Sequence, residues 1–571
     1  MSELRARSTG KEKAQASKND QPVKSQAKKH FIKKAPEPAK SGESSTFLPG
    51  MKFGVIDIKE HVPTGGRVHL EADEERRDAI RDAFQWSWDA YERCAFGTDE
   101  LHPISCGGYN LSETGPIGYT IVDSLDTLLV MNFTEEYHRA ADWCKKNLDF
   151  DRDSTFNTFE TTIRVLGGLL AAHYLTSISD DPKIAADAPF YLEKATDLGE
   201  RILPAFDSPS GIPYSGVNLH TRTGVPDRDN NGLSSLAEAT TLQLEFKYLS
   251  YLTGDPIYWR KAERVMDVVR QGATNGIAPI FINPQNGAFV ASDIRLGSRG
   301  DSYYEYLIKQ YLQTNREESV YRDMYDHAMD AIKTHLMTRS KKSNLLYTHE
   351  FTPARHPETG TQSWAIEPKQ DHLVCFLAGS FLLGVTEGGK RELDWKNLDQ
   401  VDQEDYMAGT GLMETCVDTY NTPTGLGAEI VMFRMREDPL ADEEDWYIKS
   451  GKNLIDSRNI LRPETVESLF LAYRLTGDER YRDYGWKIFQ AFEKHCKVDT
   501  GGYANIRDVR EVPAEKEDRM ETFWLSETLK YLYLLFDDSD HIALDKHVFN
   551  TEAHIFPVFN PKQFLTPFAT S

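Results

Sequence analysis

Nowhere in this chain of 571 residues is there a run approaching the roughly 18 uninterrupted apolar residues that a bilayer-spanning helix requires. The N-terminus also lacks the apolar core, roughly 7 to 15 residues long, of a signal peptide, since its only hydrophobic cluster is Phe31-Ile32. A membrane anchor is therefore not seen, and a soluble body is expected. The six cysteines (Cys94, Cys106, Cys144, Cys375, Cys416, Cys496) include no CxxC pair, so neither a zinc ribbon nor a thioredoxin-type site is suggested, and one disulfide with spare thiols remains open. Nucleophile and phosphate signatures are missing too. GLGAE at Gly425 lacks the serine of a GxSxG elbow, and neither a GxxxxGK[ST] loop nor an HExxH helix occurs. Valine, isoleucine and threonine rarely alternate as they do in strands.

What is present is acidic and apolar. The formal charge of -23 is unevenly spread: residues 1–50 hold 11 Lys or Arg against 5 Asp or Glu, so the tail is +6 and the remainder -29. Such a body repels nucleic acid and tolerates a divalent cation. The tail, rich in Lys, Ser, Ala, Gln and Pro, has no apolar periodicity to offset the entropy of ordering it. We expect a disordered basic tail over 1–50, a linker over 51–67, one folded domain over 68–560 and a C-terminal tail over 561–571.

Within the folded part, apolar residues recur at helical spacing from Asp73 almost to the end. Seven apolar helices carry an acid at the head: Asp126, Glu160, Glu238, Asp301, Asp371, Glu464 and Glu527. Two of them end on Thr-Gly-Asp, at Gly254 and Gly477, where glycine is a helix stop and aspartate caps the next helix. These are helical hairpins, with apolar inner helices and amphipathic outer ones. The pattern predicts an all-α toroid with acids gathered at one rim.

One acid in a first helical turn is ordinary, because it complements the positive helix end by about 0.3 to 1 kcal/mol. Seven acids with cationic and aromatic company are less so. Arg164 lies one turn after Glu160, Arg299 two residues before Asp301, Arg462 two before Glu464 and Phe523 one turn before Glu527. Glu464 and Glu467 share a helical face behind Pro463. A rim of carboxylates with aromatic platforms suits a neutral polyol, and glycoside hydrolysis needs one carboxyl to protonate the leaving oxygen and another to activate water.

Eight ordered stretches carry a resemblance over about residues 70–557: DSLDTLLVM, FETTIRVLGGLL, SLAEATTLQLEF, GSRGDSYYEYLIKQ, DHLVCFLAG, LRPETVESLF, METFWLSETLKYLYLLF and VFNTEAH. Together they resemble glycoside hydrolase family 47, the class I α-1,2-mannosidases. The resemblance implies an (α/α)7 barrel and a Ca²⁺-dependent, inverting enzyme that trims high-mannose N-glycans on glycoproteins. It implies Glu160 as general acid, Glu464 as the base acting on water and Asp301 as a third catalytic carboxylate. It implies Ca²⁺ held by Thr551, and sugar or calcium waters met by Arg164, Glu238, Arg299, His372, Leu373, Arg462, Glu467, Phe523, Glu527 and Glu552. Cys375 and Cys416 match the family's disulfide, which implies an oxidising compartment, and the other four cysteines are unassigned.

Arg299 resembles the arginine of endoplasmic-reticulum-type members, which implies removal of a middle-branch mannose first and an early secretory location. A monomer is expected. Two alternatives are a degradation-linked mannosidase-like protein acting on misfolded glycoproteins and a non-catalytic glycan-binding protein. Intact SYYEYL and LRPE segments weigh against the first, and the complete acids and TEAH segment against the second.

Overall fold

The computed structural model describes residues 31–32, 69–273, 275–355, 360, 362–451, 455–561 and 564. The expected tail and linker over 1–67 lie outside the described residues except for Phe31–Ile32, a short strand antiparallel to Trp364 and Ala365. At the other end Phe564 stacks on Trp259, with ring centres 5.4 Å apart.

Among the described residues, seven inner and seven outer helices close into an (α/α)7 barrel. The inner ones are Tyr119–Val130, the composite helices 158–177 and 236–253, Asp301–Gln313, Phe376–Thr386, Glu464–Thr476 and the composite 524–536. Each packs on its inner neighbours and on one or two outer helices, and the first helix, Glu74–Cys94, closes the ring against the last inner one. Inner helices are buried over nearly their whole circumference, whereas the outer helices show one buried stripe.

Local chemistry sets the hairpins as expected. Gly254 and Gly477 adopt φ of 74° and 72°, the left-handed conformation that ends a helix without Cβ strain. The side chains of Asp255 and Asp478 then accept the backbone N–H groups of Ile257 and Arg480. Among the described residues the strands form two- and three-stranded sheets outside the inner and outer helices. One of these, the hairpin His547–Phe549 with Ile555–Pro557, enters the barrel beside the helix 158–177. A Cβ on Gly167 would lie 2.8 Å from Asn550 Nδ2 and 2.9 Å from His554 Cδ2, so glycine admits the turn.

Two expectations are corrected. Asp126 does not head its helix, which starts at Tyr119 after the left-handed Gly118, and instead lies buried in mid-helix against Lys530 and His554. The cysteines make a second disulfide, Cys94–Cys106, beside Cys375–Cys416, and leave Cys144 and Cys496 buried and free. Spacing alone gave no reason to pair Cys94 with Cys106. Among the described residues no helix is long and apolar enough to cross a membrane.

Candidate active site

The inner helices all present their N-termini to one rim, and contacts run around it in chain order. Asn157, which caps the turn bearing Glu160, donates to Glu238 Oε1 at 3.3 Å. Ala237 N–H donates to the carbonyl of Arg299, and Ser298 N–H to Asp371 Oδ2. His372 meets Glu464, Arg462 stacks on Phe523, and Phe523 also faces Arg164, which returns to Glu160. The aligned helix ends make this rim electropositive in the absence of the acids.

Glu464 opens the helix Glu464–Thr476. Its Oε2 lies 2.7 Å from His372 Nδ1, and Arg462 Nη1 is 3.7 Å from its Oε1. Burial opposes ionisation, but the His372 hydrogen bond and the Arg462 charge hold the carboxyl below its ordinary range. Arg462 is itself aimed by Glu429, 2.7 Å from its Nε. Asp301, at the head of the next-but-one inner helix, behaves oppositely. Burial first, then the charges of Glu305, Glu464 and Asp371, push its carboxyl up to about 7.

Glu160 sits where the helix 158–177 passes into a π-helical stretch, Thr161–Leu166, and a second such stretch, Trp524–Thr528, carries Glu527. Widened turns of this kind recur at functional sites. Arg164 Nε donates to Glu160 Oε2 at 2.8 Å, and Tyr119 hydroxyl reaches the same oxygen at 3.4 Å. The Phe523 ring lies 5.6 Å from the Arg164 guanidinium and 5.8 Å from that of Arg462. Arg299, at φ 73°, stands over Phe281 at 5.4 Å. Leu373 is half-buried in the turn His372–Cys375.

Below the rim lies the turn of the inserted hairpin. Thr551 Oγ1 donates to Glu305 Oε2 at 2.9 Å, and Glu305 shares Lys309 with Glu467. Glu552 Oε2 takes Arg164 Nη1 at 2.6 Å and hydrogen-bonds Glu527. Thr551 thus rests on one of four carboxylates, Glu305, Glu467, Glu527 and Glu552, that gather around Tyr531 with Lys309 and Arg164 for company. Burial first, then neighbouring carboxylates, hold Glu467 and Glu552 up at about 8 and Glu527 well above its ordinary value. Tyr531 hydroxyl, buried among the same four acids, has no hydrogen-bond partner among the described residues. An oxygen-rich group with four carboxyls, two cations and an orphaned hydroxyl fits a hard divalent cation such as Ca²⁺.

The residues that the resemblance places in the site fall on the rim or the floor, whereas Asp126 lies buried in mid-helix beneath them and the disulfide pair Cys375 and Cys416 lies behind His372. Sequence reasoning missed Glu305, Lys309, Tyr531, Asp123 and His554, and it placed Asp126 at a helix head rather than in the buried cluster with Asp123 and His554 beneath Arg164. Glu305 and Lys309 stand four residues apart in SYYEYLIKQ, a charged pair inside an apolar helix, which was an available signal.

Comparison with known proteins agrees with this geometry. The mannosyl-oligosaccharide 1,2-alpha-mannosidase of Candida albicans is 44% identical over 505 residues, 86% of this chain and 85% of that protein. The endoplasmic reticulum mannosyl-oligosaccharide 1,2-alpha-mannosidase of Saccharomyces cerevisiae is 40% identical over 516 residues, 85% of this chain and 91% of its own. The solved alpha-1,2-mannosidase from Trichoderma reesei superposes with a TM-score of 0.73 at 28% identity, covering 86% of this chain and all of that one. The model for glycosyl hydrolase family 47 matches residues 83–558, and with a rim of paired carboxylates on an (α/α)7 barrel, the chain belongs to that family of glycoside hydrolases.

Proposed function

We propose that this chain is a Ca²⁺-dependent, inverting exo-α-1,2-mannosidase that trims high-mannose N-glycans on glycoproteins in the endoplasmic reticulum or early secretory pathway, removing a middle-branch mannose first. The observation that carries the reading is a pair of rim carboxylates pushed in opposite directions, Glu464 down and Asp301 up to about 7. Such divergence separates a base from an acid.

Glu464 takes the proton of the attacking water. Its Oε2 is occupied by His372, and its Oε1 lies at the longer distance of 3.7 Å from Arg462 Nη1. Asp301 holds a proton below about pH 7, and Glu160, held by Arg164, delivers a proton through water to the glycosidic oxygen. Phe523, braced by two guanidinium groups, offers a face on which a sugar ring stacks. Arg299 clamps hydroxyls of a neighbouring branch. Thr551 would hold Ca²⁺, with Glu467, Glu527 and Glu552 placed to hold its waters, and the ion would supply Lewis-acid coordination for sugar hydroxyls.

The test is to incubate the protein with high-mannose glycan and follow released sugar by NMR. Initial β-mannose supports inversion. Initial α-mannose, or no mannose at all, defeats the reading.

A further inference from the structure

Behind Glu464 lies a further layer of hydrogen bonds. A carboxylate only accepts, so His372 Nδ1, 2.7 Å from Glu464 Oε2, carries a proton. The other ring nitrogen, Nε2, is 2.7 Å from Tyr420 hydroxyl and 3.1 Å from Thr465 Oγ1. His372, Tyr420 and Thr465 are all buried, and burial raises the Tyr420 phenol, which stays an O–H donor.

We propose that Tyr420 is a positioning residue for the reaction: by donating to Nε2 it fixes the tautomer and ring angle with which His372 holds Glu464 Oε2, leaving Oε1 to face the water. This rests on the reading of Glu464 as base. The hydrogen bond that a histidine makes at one nitrogen decides what it presents at the other.

The fold fastens this pair from three sides. Cys375, three residues after His372, is bonded to Cys416, four before Tyr420, with Cα atoms 5.9 Å apart. The disulfide therefore ties the turn carrying His372 to the end of the helix Gln400–Asp418, which leads into Tyr420. His372 N–H donates to the carbonyl of Glu429 at 2.9 Å, binding it to the GLGAE segment. In that segment a Cβ on Gly427 would lie 2.9 Å from Tyr420 Cε2 and Cζ and 3.3 Å from His372 Cδ2. Only glycine lets the backbone lie against both rings, which gives Gly427 of GLGAE a purpose unrelated to any nucleophile elbow. A tyrosine that merely filled the core would not need its hydroxyl aimed at Nε2.

The experiment is Tyr420→Phe in the full chain, which keeps the ring and removes the donor. The expected result is kcat lowered roughly tenfold or more with KM within about twofold, because misorientation costs the chemical step rather than binding. The acid limb of the pH profile moves to higher pH, since Glu464 loses the hydrogen bond that opposes its burial. The other groups acting on Glu464 and Tyr420, namely Arg462, Asp301, Glu467, Glu527 and Glu429, stay in place. Unchanged kcat and acid limb, or kcat and KM moving together without a limb shift, overturns the proposal.

A second readout does not depend on turnover. In ¹⁵N spectra, with His372 assigned by difference from His372→Gln, the native protein shows Nδ1 protonated and Nε2 as acceptor, and Tyr420→Phe moves the Nε2 resonance. A native Nε2–H tautomer overturns the proposal. The expected tautomer in a protein that releases no mannose defeats the functional reading instead. Should the phenylalanine variant unfold, 3-fluorotyrosine at 420 keeps ring and hydroxyl as a stronger donor and moves Nε2, and an unmoved Nε2 is contrary to the proposal.

Discussion

Arg164 Nη1 lies 2.6 Å from Glu552 Oε2, so an arginine of one inner helix grips the turn of a hairpin 388 residues downstream. Its Nε holds Glu160 at 2.8 Å and its Nη1 stands 3.8 Å from Asp123 Oδ2. Arg164→Met leaves Glu552 buried without its cation and removes a partner of Glu160 and Asp123. The expected loss is about 3 to 5 kcal/mol of folding stability, measured by urea unfolding. Arg164→Lys restores charge without the planar fork and recovers stability in part. A loss under about 1 kcal/mol in the methionine variant contradicts the bridging role.

Activity is expected to follow a bell in pH. The donor function of Asp301 requires its protonated form, which is present below about 7 and lost as pH rises through that value. Glu464 must be ionised, and its lowered value keeps it so until the solution is well into the acid range. Asp301→Asn should lower kcat and remove the alkaline limb. An alkaline limb that persists in the variant assigns it to another group.

Calcium removal is expected to abolish turnover and lower thermal stability together. A ligand that binds only the folded state stabilises by about 2.7 kcal/mol at a hundred times its Kd. Thr551→Ala should erase the calcium-dependent rise in Tm while leaving the barrel folded. Mg²⁺, which demands a tighter octahedral shell, should substitute poorly. Equal Tm values with chelator and with calcium tell against the assignment.

The parts of this site visible in sequence are those that are local to a helix. Glu160 with Arg164, and Glu464 with Glu467, are one-turn neighbours, and Gly254 and Gly477 state their own backbone conformation. Asp123 was hidden and Asp126 was misplaced at a helix head because their partners, His554 and Lys530, lie more than 400 residues away, and periodicity reveals a buried face but not what it meets. Thr551 was reachable only by resemblance, since VFNTEAH reads locally as a loop. The inserted hairpin follows from Gly167 and Asn550 fitting together, a relation between distant segments.

Arg299 offers a clean test of branch preference. Its φ of 73° strains any residue with a Cβ, so Arg299→Leu leaves the backbone cost unchanged and removes only the guanidinium. The expected outcome is loss of preference for one middle-branch mannose, seen by mass spectrometry as faster passage from nine to fewer mannoses beyond the first step. An unchanged product ladder removes Arg299 from the specificity argument.

His554 ties the hairpin to the barrel through charge. It lies buried between Asp123, 3.1 Å from Nε2, and Asp126, 3.2 Å from Nδ1. Burial alone lowers an imidazole, but Asp126 and the hydrogen bonds to both aspartates push this one up to about 9. Because the folded value exceeds the unfolded one of about 6.5, its stabilisation is fully present below about 6.5 and is lost as pH rises through about 9. The displacement corresponds to about 3 kcal/mol. The two aspartates are held below their ordinary range despite burial, and their share is present above about 4 and lost on acidification. His554→Gln should therefore cost about 3 kcal/mol more at pH 6 than at about pH 9.5, read by urea unfolding at fixed saturating calcium. A cost equal at the two pH values means that the imidazole contributes packing and hydrogen bonds without a net charge, and that the hairpin is held chiefly by Lys530 and Arg164.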